Sequence, residues 1–430
     1  MKAVNARYSG ILCICVFLAL IVGCGSGNPG PSGESSVPPS LPSETSQSSV
    51  QPSPTPTGEP SPTDEDEIAG MMKDMTLEQK IGQMILAGID GTSFDTAMKK
   101  MIAEQHVGGI ILYKNNFSDL EGSVGLVNAL KKANENNPVP LFMSVDQEGG
   151  KVSRLPKDFV AIPDAAKVGK TGDPKLARQM GSLLSEELRI MGFNVDFAPV
   201  LDINSNPNNP VIGSRAFGSD AERVTKMGVA AMKGLQEGGT VAVVKHFPGH
   251  GDTSVDSHLE LPVVHKTTDQ LEAMEWVPFR TAIEEGADAV MVAHIFFPVV
   301  DPDAPASFSK VIIGEQLRGT LGFDGVVITD DMTMGAIAQH YGLEDAALKS
   351  VEAGSDIILV AHGYDTEKKV YDSLLQAIQS GRLDEARIDE SVRRILTLKF
   401  KYQLSDSPVP VPSVADLPNE AIRDWLRELK

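Results

Sequence analysis

Val241-Ala242-Val243-Val244-Lys245-His246-Phe247-Pro248-Gly249-His250-Gly251-Asp252-Thr253-Ser254-Val255-Asp256-Ser257-His258 begins as an apolar run and turns abruptly into a stretch dense with ionisable groups and chain breakers. The apolar residues ahead of Lys245 suit a strand buried on both faces, and the Pro and Gly residues that follow stop a helix or strand from continuing. The segment reads as a strand end opening into a loop that carries chemistry. Three of the chain's eight histidines, His246, His250 and His258, fall inside it.

The same pattern recurs along the chain. Apolar runs at 83–87, 108–112, 141–145, 195–200, 241–244, 287–292, 325–328 and 356–360 read as strands. Helical patterns lie between them, most clearly at 119–134, 174–191, 221–237, 268–285, 332–353 and 367–379. This alternation predicts an α/β fold, a closed (β/α)8 TIM barrel forming a single catalytic domain, with an open doubly wound sheet as the alternative. Polar residues follow the runs in turn: Asp146 the third, Asp202 the fourth, Lys245 and His246 the fifth, His294 the sixth, Asp330 and Asp331 the seventh, His362 the eighth. Any one of these is ordinarily a cap or a core hydrogen-bonding group. In a barrel, all lie on the face where catalytic groups collect, which makes a shared pocket the better reading.

The flanks set the context. Lys2 and Arg7, then the apolar run 11–22 and Gly23-Cys24, form a secretory signal over residues 1–23. Leu20-Ile21-Val22-Gly23-Cys24 resembles a bacterial lipobox, which implies a lipid on Cys24 and a place at the cell membrane on its extracytoplasmic face. The run is shorter than the roughly 20 residues a spanning helix needs. Cys13 and Cys15 leave with the signal, so no cysteine is left for a disulfide or a soft metal. Residues 24–66 are dominated by Pro, Ser, Thr and Gly, a composition that buries too little apolar surface to fold. As a tether, this segment reaches at most about 130 Å when extended. The barrel is assigned to 67–405, and a Pro-rich linker with a last helix at 416–429 completes 406–430. A formal charge of −20 argues against nucleic acid and against adsorption to anionic lipid.

Three chemistries compete for the polar strand ends. A zinc site draws on the histidines between His246 and His265, but Pro248 and Gly249 break the helix that a paired-histidine motif requires, so no metal is expected. A non-catalytic sugar-binding lipoprotein calls for aromatic stacking surfaces, and only 5% of the residues are aromatic. Glycoside hydrolysis needs one carboxylate at the anomeric carbon and one proton donor for the leaving oxygen. Asp330, closing Val326-Val327-Ile328-Thr329-Asp330, is placed for the first role. The donor is either a carboxyl of raised pKa or His258, oriented by Asp256 two residues earlier.

Five motifs in order resemble glycoside hydrolase family 3, in its β-N-acetylhexosaminidase branch, over nearly the whole ordered chain. They are Met75-Thr76-Leu77-Glu78-Gln79-Lys80-Ile81-Gly82-Gln83-Met84, Val145-Asp146-Gln147-Glu148-Gly149-Gly150, Val211-Ile212-Gly213-Ser214-Arg215-Ala216-Phe217, the opening loop, and Ile328-Thr329-Asp330-Asp331-Met332. The resemblance implies that Asp330 is the nucleophile of a retaining reaction and His258 the acid/base, partnered by Asp256. Asp146, Arg154, Arg215, Lys245 and His246 match sugar-binding positions. Lys151 departs from the pattern, standing where many relatives carry Arg. The β-glucosidase branch draws its acid from a glutamate beyond the barrel. With no second α/β domain following, the acid is expected from a barrel loop, which favours His258. The implied activity removes non-reducing N-acetylglucosamine from cell-wall glycans, in a monomer without cofactor; phosphorolysis by the same residues is the alternative.

Overall fold

The computed structural model describes residues 62–430. The expected signal, the lipidation residue Cys24 and most of the tether lie outside the described residues.

Each of the eight apolar runs forms a strand: β1 Ile85–Gly88, β2 Gly109–Leu112, β3 Phe142–Val145, β4 Val195–Asp196, β5 Val241–Phe247, β6 Ala289–Val292, β7 Val326–Thr329 and β8 Ile358–Val360. Every strand residue is buried, as expected of strands covered by packed side chains within and helices without. All pairings are parallel, in the order β7-β6-β5-β4-β3-β2-β1-β8. A bridge from Ile328 to Ile357 joins the two ends of that order, with the Thr329 N–H donating to the Ile357 carbonyl at 3.0 Å. The sheet is thus a (β/α)8 barrel, as the alternation predicts.

The departures from expectation have local causes. β4 stops at Asp196 rather than 200, because Pro199 has no N–H to give the ladder; Val200 rejoins it by bridging Lys245. β5 runs on through Lys245 and His246 to Phe247, which pairs with Val292, so these two polar residues belong to the strand and not to the loop. The segment expected as one helix over 268–285 is two, Thr268–Ala273 and Val277–Glu284, separated where Trp276 is pulled into the core beside Phe247 and Pro278 opens the second. The segment 332–353 likewise divides into Gly335–Ala338 and Leu343–Ala353, with Gly342 between them. The first helix, Pro62–Asp74, takes in residues assigned to the tether, and its first-turn Asp64 and Glu65 complement the positive end of the helix dipole.

The N-terminal end of the barrel is closed by the helix Glu385–Lys401. Its Leu398 joins Leu86, Phe142, Val243 and Ile328 around a small apolar void in the barrel axis, and its Lys399 ammonium donates to Gln83 Oε1 and the Gly108 carbonyl, both at 2.8 Å. Among the described residues, no helix is long and apolar enough to cross a membrane.

Candidate active site

At the other end, the strand termini surround a cavity of about 290 Å³. Asp146 follows β3, Lys245 and His246 end β5, Asp330 follows β7 and His362 follows β8, and all of them line it. Arg154, Arg215 and His258 reach in from loops. Of the residues singled out from sequence, Asp202, Asp256, His294, Lys151 and Cys24 are not in the wall; Asp202 and His294, expected there as strand ends, are fully buried behind it. Asp256 touches it through His258, Cys24 lies outside the described residues, and Lys151 is exposed, its N–H donating to Asp164.

One side of the cavity is a buried ionic lattice. The Lys245 ammonium sits 2.6 Å from Asp146 and 2.7 Å from Glu148, and Arg215 grips Glu148 with two nitrogens at 2.8 and 2.7 Å. Burial alone would raise the Glu148 carboxyl; Lys245 and Arg215 outweigh it and hold the group well below the usual carboxylate range. Burial likewise pulls Lys245 down, and Asp146 and Glu148 reverse that. The lattice therefore stays ionised while desolvated, a setting in which polar contacts to a ligand are strong. Gln147 fixes the strand-end loop: its Oε1 accepts the Arg154 N–H at 2.8 Å, and its own N–H donates to Asp196. Gly150 turns this loop with φ +57°, and a Cβ there would lie 1.8 Å from the Asp164 carboxylate. The Arg154 Nε has no hydrogen-bond partner among the described residues.

His246 is oriented from behind. Its Nδ1 meets Asp202 at 2.6 Å, leaving Nε2 toward Arg215, and the second oxygen of Asp202 accepts the His250 N–H at 2.6 Å. Burial would raise Asp202, but the two histidines outweigh it and keep the carboxyl low.

Asp330 stands at the end of β7, its backbone N–H on the Val292 carbonyl. One carboxylate oxygen accepts the Asp331 N–H at 2.8 Å; the other makes no hydrogen bond among the described residues. Burial opposes ionisation here too, yet His294, His246, the Asp331 N–H and His258 together hold the group below its ordinary value, so it is an anion at neutral pH. An ionised, desolvated carboxylate with a free oxygen is a nucleophile.

The loop after β5 brings His258 to the mouth, where its side chain is 64% exposed. Asp256 accepts from both the backbone N–H and Nδ1 of His258, at 2.9 and 2.7 Å, which fixes the ring and leaves Nε2 without a partner. The loop is held on two sides. His250 bonds Thr253 and Ser257 at 2.8 and 2.9 Å, while the Gly335 and Ala336 N–H groups donate to the carbonyls of His258 and Ser257. Gly335 and Ala336 follow Asp330 closely in the chain, so one short segment carries both this carboxylate and the dock for the histidine loop. Both N–H groups are available because they open the helix Gly335–Ala338, whose first-turn donors have no intrahelical acceptor.

Glu148 escaped a role in the sequence reading although it stands inside a quoted motif, because the cations it joins come from distant parts of the chain, Arg215 from the loop after β4 and Lys245 from β5. Tyr113 and His362, whose rings lie 5.4 Å apart in the wall, were likewise not assigned. His294, noted as a strand end, is a buried brace with Nδ1 on Ser307 and Nε2 on the Asp331 carbonyl.

Comparison with known proteins gives the same direction. The family described as Glycosyl hydrolase family 3 N terminal domain matches residues 76–398. A Beta-hexosaminidase A from Pseudoalteromonas piscicida is 33% identical over 345 residues, 74% of this chain and 58% of the relative, so the chain spans little more than half of that protein. A Beta-hexosaminidase from Stenotrophomonas maltophilia is 35% identical over 311 residues, 71% of this chain and 90% of the relative. Among solved structures, a glycoside hydrolase family 3 beta-N-acetylglucosaminidase from Paenibacillus sp. matches with a TM-score of 0.76 at 44% identity, over 82% of this chain and 69% of that one.

Proposed function

Because the chain belongs to glycosyl hydrolase family 3, we propose that it is a retaining β-N-acetylhexosaminidase that removes non-reducing N-acetylglucosamine from cell-wall glycans. The observation that carries the reading is the pairing of Asp330, ionised with one free oxygen, with the Asp256–His258 pair on a loop docked to the segment just after it. In the first step, an Asp330 oxygen bonds to the anomeric carbon as the glycosidic C–O bond breaks, and His258 Nε2 gives its proton to the departing oxygen. In the second, His258 takes a proton from water, whose oxygen displaces Asp330 and restores the starting configuration. Asp256, kept anionic by the His258 contacts that outweigh burial, supports the imidazolium between the steps. The Asp146–Lys245–Glu148–Arg215 lattice, His246 and the free Arg154 guanidinium bind the sugar, with forked donors and carboxylate acceptors matched to hydroxyls and an N-acetyl group.

The test is incubation with aryl β-N-acetylglucosaminide and aryl β-glucoside, each with and without phosphate. Free N-acetylglucosamine of retained configuration, faster than glucose and independent of phosphate, is the expected result. No release from either glycoside sinks the enzyme reading in favour of a sugar-binding protein, and N-acetylglucosamine 1-phosphate identifies a phosphorylase. The signal at 1–23 and the lipobox-like sequence ending at Cys24 support a lipid anchor that holds the protein on the extracytoplasmic face. Cys24→Ala should move it from the membrane fraction to the soluble fraction; retention in the membrane would exclude the anchor.

A further inference from the structure

We propose that the end of the barrel opposite the sugar cavity carries a second site, for a small oxyanion, built on Lys131 and Arg189. The two line a cavity of about 230 Å³ beneath β4 and β5, walled on one side by residues 403–409 as they leave the closing helix. In a chain with 58 acidic against 38 basic residues, no acidic side chain lines this cavity.

Lys131 lies in the last turn of the helix Leu120–Ala133 and is 5% exposed. Its ammonium makes no hydrogen bond and no ion pair with any described residue. The acidic group near enough to act on it is Asp406, but both of that carboxylate's oxygens are committed, one to the Leu141 N–H at 3.1 Å and one to Asn134 Nδ2 at 2.6 Å. Burial accordingly pulls Lys131 down from the ordinary lysine value, with Asp406 opposing. With no acceptor from the protein, the ammonium turns its donors to whatever occupies the cavity it lines. Gly192, at φ +88°, lies beside the ammonium: a Cβ there would sit 3.5 Å from Lys131 Nζ and be crowded by Val127 and Val409 at 2.9 and 3.0 Å.

Arg189 completes the pair. Its Nη1 donates to the Gly238 carbonyl at 3.0 Å, and it forms no ion pair with a carboxylate among the described residues, so most of its fork stays uncommitted. The Ser405 and Ser407 hydroxyls, 2.8 Å apart, add neutral donors. An ammonium, a planar fork and two hydroxyls lining one cavity are the donor set for a phosphate or carboxylate group. Bound there, the anion clamps residues 403–409 to the barrel floor, far from the sugar.

The test is thermal unfolding and titration calorimetry of the folded protein in chloride buffer of constant ionic strength, with inorganic phosphate or acetate as the probe. At about 100 times Kd, at least one probe should raise the wild-type Tm by roughly 3–4 °C, and the probe that does so distinguishes a phosphate from a carboxylate site. Lys131→Met should abolish that response and raise Tm in anion-free buffer. Arg189→Gln, a change at an exposed side chain that leaves folding intact, should weaken binding by about 10-fold or more. A wild-type protein indifferent to both probes overturns the proposal. So does a response that survives Lys131→Met and Arg189→Gln but disappears with Arg154→Gln, since the anion then sits in the sugar cavity.

Discussion

The two ends of the barrel hold buried ionic clusters of similar make-up and opposite purpose. At the C-terminal end, Lys245 and Arg215 surround Glu148 and Asp146 beside an open cavity. At the N-terminal end, Asp356, with no exposed surface, is held by Arg318 at 2.6 Å, Arg394 at 3.4 Å and Arg387 at 3.5 Å, and accepts from Ser391 and the Val327 N–H. The first cluster leaves Arg154 and one oxygen of Asp330 unused. The second has every Asp356 oxygen occupied and is roofed by the helix Glu385–Lys401. What separates a binding site from a structural staple here is unspent hydrogen-bonding capacity, not charge or burial.

The sharpest way to break that contrast is to remove Asp330. Asp330→Ala should lower turnover of an aryl β-N-acetylglucosaminide by about 10⁴-fold or more, because the other carboxylates in the wall, Asp146 and Asp331, are tied to Lys245 and to Thr333 and Ala361, while leaving the unfolding midpoint unchanged or higher. Residual activity within 10-fold of wild type would move the nucleophile elsewhere. At the other end the effects should exchange places. Asp356→Ala takes from Arg318 its one carboxylate partner and from Arg387 and Arg394 a shared one, and should cost about 3–5 kcal/mol of stability by urea unfolding, with kcat of the remaining folded enzyme unaltered. A fall in kcat without a fall in stability would mean that the staple reaches the active site.

His258 refines the comparison within the catalytic end, where one partner is buried and the other stands at the mouth. His258→Ala should slow glycosides with poor leaving groups by about 10²–10⁴-fold and nitrophenyl-type glycosides far less, since only the former need a proton. Equal losses across a leaving-group series would make His258 a binding residue.

How much of this was legible in the sequence follows from the range of the interactions involved. The barrel was readable because each buried strand is a local run of apolar residues, and the polar residue that ends it marks the functional face. The place of Asp330 at a strand end was readable for the same reason, and the Asp256–His258 contact because the two residues are neighbours in the chain. The ion pairs of Glu148 were not, because Arg215 and Lys245 arrive from a distant loop and strand. The division of 268–285 into two helices depends on Trp276 finding Phe247, a contact that periodicity does not encode. The closing helix Glu385–Lys401 was also invisible as a lid, since only the assembled barrel creates the end it covers.

The smallest expected effect is a pH signature that differs between the ends. His250, which braces the histidine loop, is pulled down to about 4, chiefly by burial, with the nearby His246 adding to it. Lys399, under the barrel, is pulled down to about 7 by burial against the attraction of Asp406. In both cases the unfolded chain holds a proton that the folded chain has released, so stability rises with pH across the window between the two values. For His250 that contribution is complete above pH 6.5 and is lost as pH falls through about 4. For Lys399 it is complete only above pH 10.5 and is lost as pH falls through about 7. His250→Asn should therefore flatten the acid limb of a urea-derived stability profile and leave the alkaline limb alone, and Lys399→Met should do the reverse. If Lys399→Met leaves the alkaline rise intact, the Gln83, Gly108 and Phe142 contacts keep the ammonium charged, and the floor of the barrel holds its cation as firmly as the sugar site holds Lys245.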